Sequence, residues 1–133
     1  IAQKGRLDSV QVTGGEASLH PRFRELVAWL HARPEVGKVY LPTNGIEFAK
    51  AGAADWLVPL RDKVLVLLQF DGTDAPVNDT LRRARPEKLR LKLVKKLDRL
   101  GIPMQLTMTL AHGVSERDIA WVVQQGSAIA TSG

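Results

Sequence analysis

VLVLLQF, residues 64–70, decides the class of fold. All but one of its residues are apolar, and the polar exception, Gln69, comes next to last. A run this continuous predicts a strand covered on both faces, the environment of a parallel sheet. Working outward, β-branched or apolar runs also occur at 9–13, 38–41 and 104–110. Each is followed by turn residues and then by a segment with helical spacing.

The helical segments carry one-sided apolar stripes. Over 22–33, Phe23, Leu26, Val27 and Leu30 share a face, and over 53–60 Trp56, Leu57 and Leu60 make a shorter one. Over 87–100 the stripe is Leu89, Leu93, Val94, Leu97 and Leu100; over 116–125 it is Ile119, Val122 and Val123. Pro21 and Pro86 fit as first-turn prolines, with His20 capping the first helix. Ser115-x-x-Asp118 resembles a capping box, and Gly101 fits as a C-terminal cap. His31 belongs on a helix flank at the surface, whereas His112 falls at a strand mouth. Trp29, Trp56 and Trp121 lie in helical segments and are expected to pack. Four strand–helix units in a row predict an α/β fold with parallel strands, because parallel pairing needs such crossovers. The expected organisation is one domain over 1–126 with a flexible tail over 127–133.

Composition narrows the classes of function. The chain has 133 residues, 44% hydrophobic and 25% charged, enough for one core and too few for two domains. No apolar stretch approaches a membrane span, and the N-terminal residues lack the apolar core of a signal peptide. The chain has no cysteine, which removes disulfides, cysteine nucleophiles and thiolate metal sites and fits a cytoplasmic location. An opening Ile in place of Met reads as an excerpt. Of the net +5, the segment 82–99 carries nine basic and two acidic residues, so it holds +7 and the remainder −2. Such a segment is either a solvated helix face or a surface for nucleic acid, though it lacks interleaved aromatics.

In parallel α/β folds, ligands bind beyond the carboxyl ends of the strands. Those ends read Thr13-Gly14-Gly15-Glu16, Thr43-Asn44-Gly45, Gln69-Phe70-Asp71-Gly72, and Thr107-Met108-Thr109 with Ala111-His112-Gly113. Glycines let a ligand approach main-chain groups with no Cβ in the way. A carboxylate beside exposed carbonyls attracts an ammonium group. Asp71 can accept two hydrogen bonds, which suits a ribose diol, and Gln69 shares its face two residues earlier. The mouth is suited to a small ligand carrying both an ammonium and a sugar.

The series GGE-x-x-LHP, TNG, QFDG and QLTMTL at βα spacing resembles the radical S-adenosylmethionine (radical SAM) superfamily. The likeness runs from about Asp8 to Gln125 and is closest to the branch around molybdenum-cofactor, heme and peptide-modifying enzymes. It implies an internal fragment of a partial (β/α)6 TIM-like barrel, about four parallel βα units of six. It also implies that Gly14, Gly15 and Glu16 hold the methionine ammonium of S-adenosylmethionine. Gln69 and Asp71 would lie near the ribose, Asn44 at the mouth, and Thr107 and Thr109 beside the adenosine. The parent reaction implied is reductive cleavage of S-adenosylmethionine to a 5′-deoxyadenosyl radical, which abstracts hydrogen from a substrate.

One defining element of that superfamily is absent from this sequence. CxxxCxxC ligates a [4Fe–4S] cluster through thiolates, and this chain supplies none. The cluster is therefore expected only in a full-length parent, and the chain alone is expected to be inactive. No residue is assigned as catalytic or metal-ligating. The expected partners are the missing remainder of the barrel, the parent's substrate and a second copy pairing through open strand edges, with no membrane. Glu16 has an ordinary explanation too, as a carboxylate at the N-terminus of the helix near Pro21. Two other classes compete with the radical enzyme: a non-catalytic α/β ligand-binding module and a basic nucleic-acid-interacting domain.

Overall fold

The computed structural model describes residues 5–70, 86–108 and 119–130. Asp71, Thr109, His112 and the box from Ser115 to Asp118 lie outside the described residues. Four strands run β1 (Leu7–Gln11), β2 (Val36–Thr43), β3 (Val64–Gln69) and β4 (Met104–Thr107). They form a single sheet in the order β1-β2-β3-β4, and every neighbouring pair is parallel. Helices α1 (Phe23–His31), α2 (Ile46–Ala49), α3 (Pro86–Arg99) and α4 (Ile119–Ala130) alternate with them, and a 3₁₀ segment spans Asp55–Leu60. A sheet whose spatial order follows the chain, with a helix in every connection, is the architecture of a partial barrel.

The helices cover one face of this sheet. Phe23, Val27 and Leu30 of α1, Phe48 of α2, and Leu93, Val94 and Leu97 of α3 are buried with Val39, Leu41, Val64, Val66, Leu68 and Phe70. Each such side chain contributes roughly 1.5–3 kcal/mol through burial. Covering of VLVLLQF on both faces is not what the structure shows. Val64, Val66 and Leu68 are buried, but Leu65 and Leu67 on the opposite face are only half-buried, because every described helix stacks on the same side.

Several element boundaries differ from the sequence expectation. β1 starts at Leu7 and ends at Gln11, because its pairing begins at Leu7 opposite Val36. β2 extends to Thr43 through Pro42, which pairs with Leu67. Alternate residues of a parallel strand address opposite neighbours: Val39 N donates to Lys63 O, while Tyr40 O accepts from Val12 N. Pro42, two beyond Tyr40, turns its missing N–H toward β1, where the pairing stops.

Helix α1 begins at Phe23, so Pro21 precedes it rather than sitting in its first turn. His20 is not the cap: Arg22 holds that position without a side-chain bond. His20 instead braces the preceding turn, its Nδ1 accepting from Arg22 N at 3.2 Å and its carbonyl from Phe23 N at 2.9 Å. Leu26 and Trp29 are exposed, because the buried stripe of α1 is Phe23, Val27 and Leu30. Trp56 and Trp121 pack as expected, edge-on to Phe23 and stacked on Phe70. The segment 53–60 closes as a 3₁₀ segment containing Pro59 rather than an α-helix. In the last helix, Ile119 and Val123 face outward.

The end of α3 matches its reading. Gly101 N donates to Asp98 O and Ile102 N to Leu97 O, both at 2.9 Å, the paired bonds of a Schellman motif. Helix α4 continues to Ala130, so residues 127–130 are helical and extend past the boundary expected at 126. His31 is half-buried and bonds Asp62 Oδ1 through Nε2 at 2.7 Å, joining the end of α1 to the turn before β3. No helix among the described residues is long and apolar enough to cross a membrane.

Candidate functional site at the strand ends

β1 leads into Gly14 and Gly15, with φ of +130° and +44°. Both lie where L side chains are disfavoured, which is the local reason for two glycines. The turn delivers Glu16, which opens a short 3₁₀ helix over Ala17–Leu19. Its carboxylate does not reach helix α1. Glu16 Oε1 accepts from Ser18 Oγ at 2.5 Å and Thr43 Oγ1 at 2.8 Å, and Oε2 accepts from Asn44 N at 2.8 Å. Capping of the helix near Pro21 is thereby replaced by a bridge between the ends of β1 and β2.

β2 is shaped to receive that carboxylate. Thr43 is 4% exposed, and its hydroxyl oxygen accepts from Gly45 N at 3.0 Å. Asn44 Oδ1 accepts from Ile46 N at 2.9 Å, an Asx turn that starts α2. Gly45 has φ +84°, and a Cβ there would lie 2.7 Å from Leu93 Cδ2 and 2.8 Å from Leu68 Cδ1. Thr-Asn-Gly is thus a tightly fitted corner with its polar side turned toward Glu16.

The next two strands bring in Gln69 and Thr107, which are register partners across β3 and β4. Gln69 is exposed, and Thr107 Oγ1 donates to Leu68 O at 3.3 Å. Leu68 in turn pairs with Thr43, so the Glu16 corner and the Gln69–Thr107 pair occupy adjacent positions along one sheet edge. Of the residues anticipated from sequence, the structure joins Glu16 and Asn44 through a hydrogen bond and Gln69 and Thr107 through register. Gly14 and Gly15 are exposed at the same mouth.

Thr43 and Ser18 were not anticipated as site residues. A hydroxyl at the end of the following strand was the available signal, but only the register of β1 on β2 shows that it faces Glu16. Among the described residues no group of three or more His, Cys, Asp or Glu could hold a metal ion.

A parallel α/β sheet with polar residues gathered at its strand ends is an arrangement consistent with a partial barrel. The chain belongs to the radical SAM superfamily, whose family model matches residues 1–125. No curated protein and no solved structure matches it. That family's chemistry generally uses S-adenosylmethionine and a [4Fe–4S] cluster.

The residues present fit the two groups differently. A cluster needs thiolates, and this chain has no cysteine, so its 133 residues do not fit the cluster. The amino acid end of S-adenosylmethionine does fit. A carboxylate has about four acceptor positions, and among the described residues Glu16 uses three of them on neutral donors, which leaves one for an ammonium beside two open glycines.

Proposed function

We propose that this chain forms the S-adenosylmethionine-binding part of a radical SAM enzyme. Gly14, Gly15 and Glu16 surround the methionine ammonium; Asn44 lies at the mouth, and Gln69 and Thr107 run along the nucleoside. Asp71 and Thr109 join them by resemblance alone. When bound with its cluster, S-adenosylmethionine supplies a 5′-deoxyadenosyl radical that takes hydrogen from a substrate. This chain's part is to bind and orient: the carboxylate holds the ammonium, and the strand-end side chains align the sugar. Alone it is inactive, since the cluster's thiolates come from outside these residues. Strands β1 and β4 offer sheet edges to the remainder of the barrel or to a second copy.

The observation that carries this reading is the Glu16 carboxylate, fixed at the strand mouth by Thr43 and Asn44 and unneutralised by any Lys or Arg among the described residues. It is tested by following backbone amide resonances while S-adenosylmethionine is titrated in. Shifts gathered at Gly14, Gly15, Glu16, Asn44, Gln69 and Thr107 are expected. Shifts gathered on the helices instead, or none, contradict it.

A second reading has its own observation. Lys88, Lys92, Lys95 and Arg99 are exposed on α3, spaced by four, three and four residues, and so form one stripe. Among the described residues none of them is in an ion pair. A nucleic-acid backbone held there would dissociate steeply with salt, with a slope of about −0.9 per phosphate contacted on duplex DNA. A flat salt response removes that reading.

A further inference from the structure

We propose that Thr43 is a positioning residue for the ligand's ammonium, setting which oxygen of Glu16 receives it; this rests on the proposed function above. Glu16 follows two positive-φ glycines, and within its own segment only Ser18 holds its carboxylate. The rest of the hold comes from the next strand. Thr43 has a single hydroxyl proton. Because its oxygen already accepts from Gly45 N, that proton goes to Glu16 Oε1. At 4% exposure, water competes poorly for either bond.

The consequence is an asymmetric carboxylate. Oε1 takes two donors, Ser18 Oγ and Thr43 Oγ1, and is filled. Among the described residues Oε2 takes Asn44 N alone and keeps one acceptor position. The three donors are neutral, so the negative charge is uncompensated among the described residues. An arriving donor therefore meets one oriented acceptor of an anionic group, which selects a cationic amine over a neutral amide or hydroxyl. Without Thr43 the carboxylate can turn, and the acceptor is no longer aimed.

The test is a calorimetric mutant cycle on the whole chain with two probes: S-adenosylmethionine, and 5′-methylthioadenosine, which lacks the amino acid end. Thr43→Val is expected to weaken S-adenosylmethionine about tenfold, the size of one charge-assisted hydrogen bond. It should leave 5′-methylthioadenosine unchanged. Thr43→Ser should restore the affinity, and Glu16→Gln/Thr43→Val should bind no worse than Glu16→Gln alone. Equal losses for both probes, additive losses in the double variant, or no loss at all would overturn the proposal. If Thr43→Val does not fold, Thr43→Ala is read the same way. Failure of the parent reading has a separate signature: the unchanged chain does not bind S-adenosylmethionine, or Glu16→Gln binds it as well as the unchanged chain does.

Discussion

Glu16 and Thr43 stand 27 residues apart in the chain and are joined by a 2.8 Å hydrogen bond across the ends of neighbouring strands. The bond ties the Gly-Gly-Glu corner to the Thr-Asn-Gly corner, so the proposed ammonium site is also a structural feature. Glu16→Ala would leave the buried Thr43 hydroxyl and the Asn44 amide without their acceptor. A loss of about 2 kcal/mol is expected from the two stranded donors, measured by urea unfolding. Glu16→Gln, which keeps an acceptor oxygen, should lose less.

Gly45 has no room and no alternative conformation. With φ at +84° and Leu93 and Leu68 methyls under 3 Å from a Cβ position, Gly45→Ala combines left-handed strain with overpacking. Together these should cost about 2–4 kcal/mol, again read from urea midpoints. Leu93→Ala should cost less in the Gly45→Ala background than in the unchanged chain, because it removes one of the two clashing side chains.

Two neighbouring lysines on α3 should behave differently. Lys96 Nζ donates to Lys50 O at 2.8 Å and Phe48 O at 3.3 Å, tying α3 to the end of α2. Lys96→Met is expected to lose about 1 kcal/mol. Lys95 is exposed on the basic stripe, and Lys95→Met should stay within about 0.5 kcal/mol of the unchanged chain. Thermal unfolding of the pair checks the contrast.

The His31–Asp62 contact carries a pH signature. The hydrogen bond from His31, against an opposing effect of desolvation, holds the Asp62 carboxyl below its ordinary value of 3.8. A carboxyl lowered in the folded state adds stability above its unfolded value and loses it as pH falls through the folded one. The gap in thermal midpoint between the unchanged chain and Asp62→Asn should therefore be full above pH 3.8 and close below it. It should also be small, since Asp62 is largely exposed.

Much of the sheet could be read from residues 64–70 and 104–110, because an apolar run and an alternating one set between helical stripes leave few other architectures. The phase of a helix was harder. Leu26 sits within reach of the α1 stripe, but what a helix buries depends on which neighbours stack on it, and here Phe23, Val27 and Leu30 take that face. Helix α2 was missed because it is one turn long and begins inside the Thr-Asn-Gly corner. Glu16 was legible from its two glycines as a carboxylate at the strand ends, where the structure holds it. Its partner Thr43 was not, because strand register is a property of paired segments and no local pattern near residue 16 encodes it.

The most direct test of the account is a calorimetric titration of S-adenosylmethionine into the unchanged chain and into Glu16→Gln, which removes the charge and keeps the shape. The account predicts saturable binding that Glu16→Gln weakens by about tenfold or more, the loss of one charge-assisted contact. Equal affinity in the two proteins, or no binding by the unchanged chain, would contradict it.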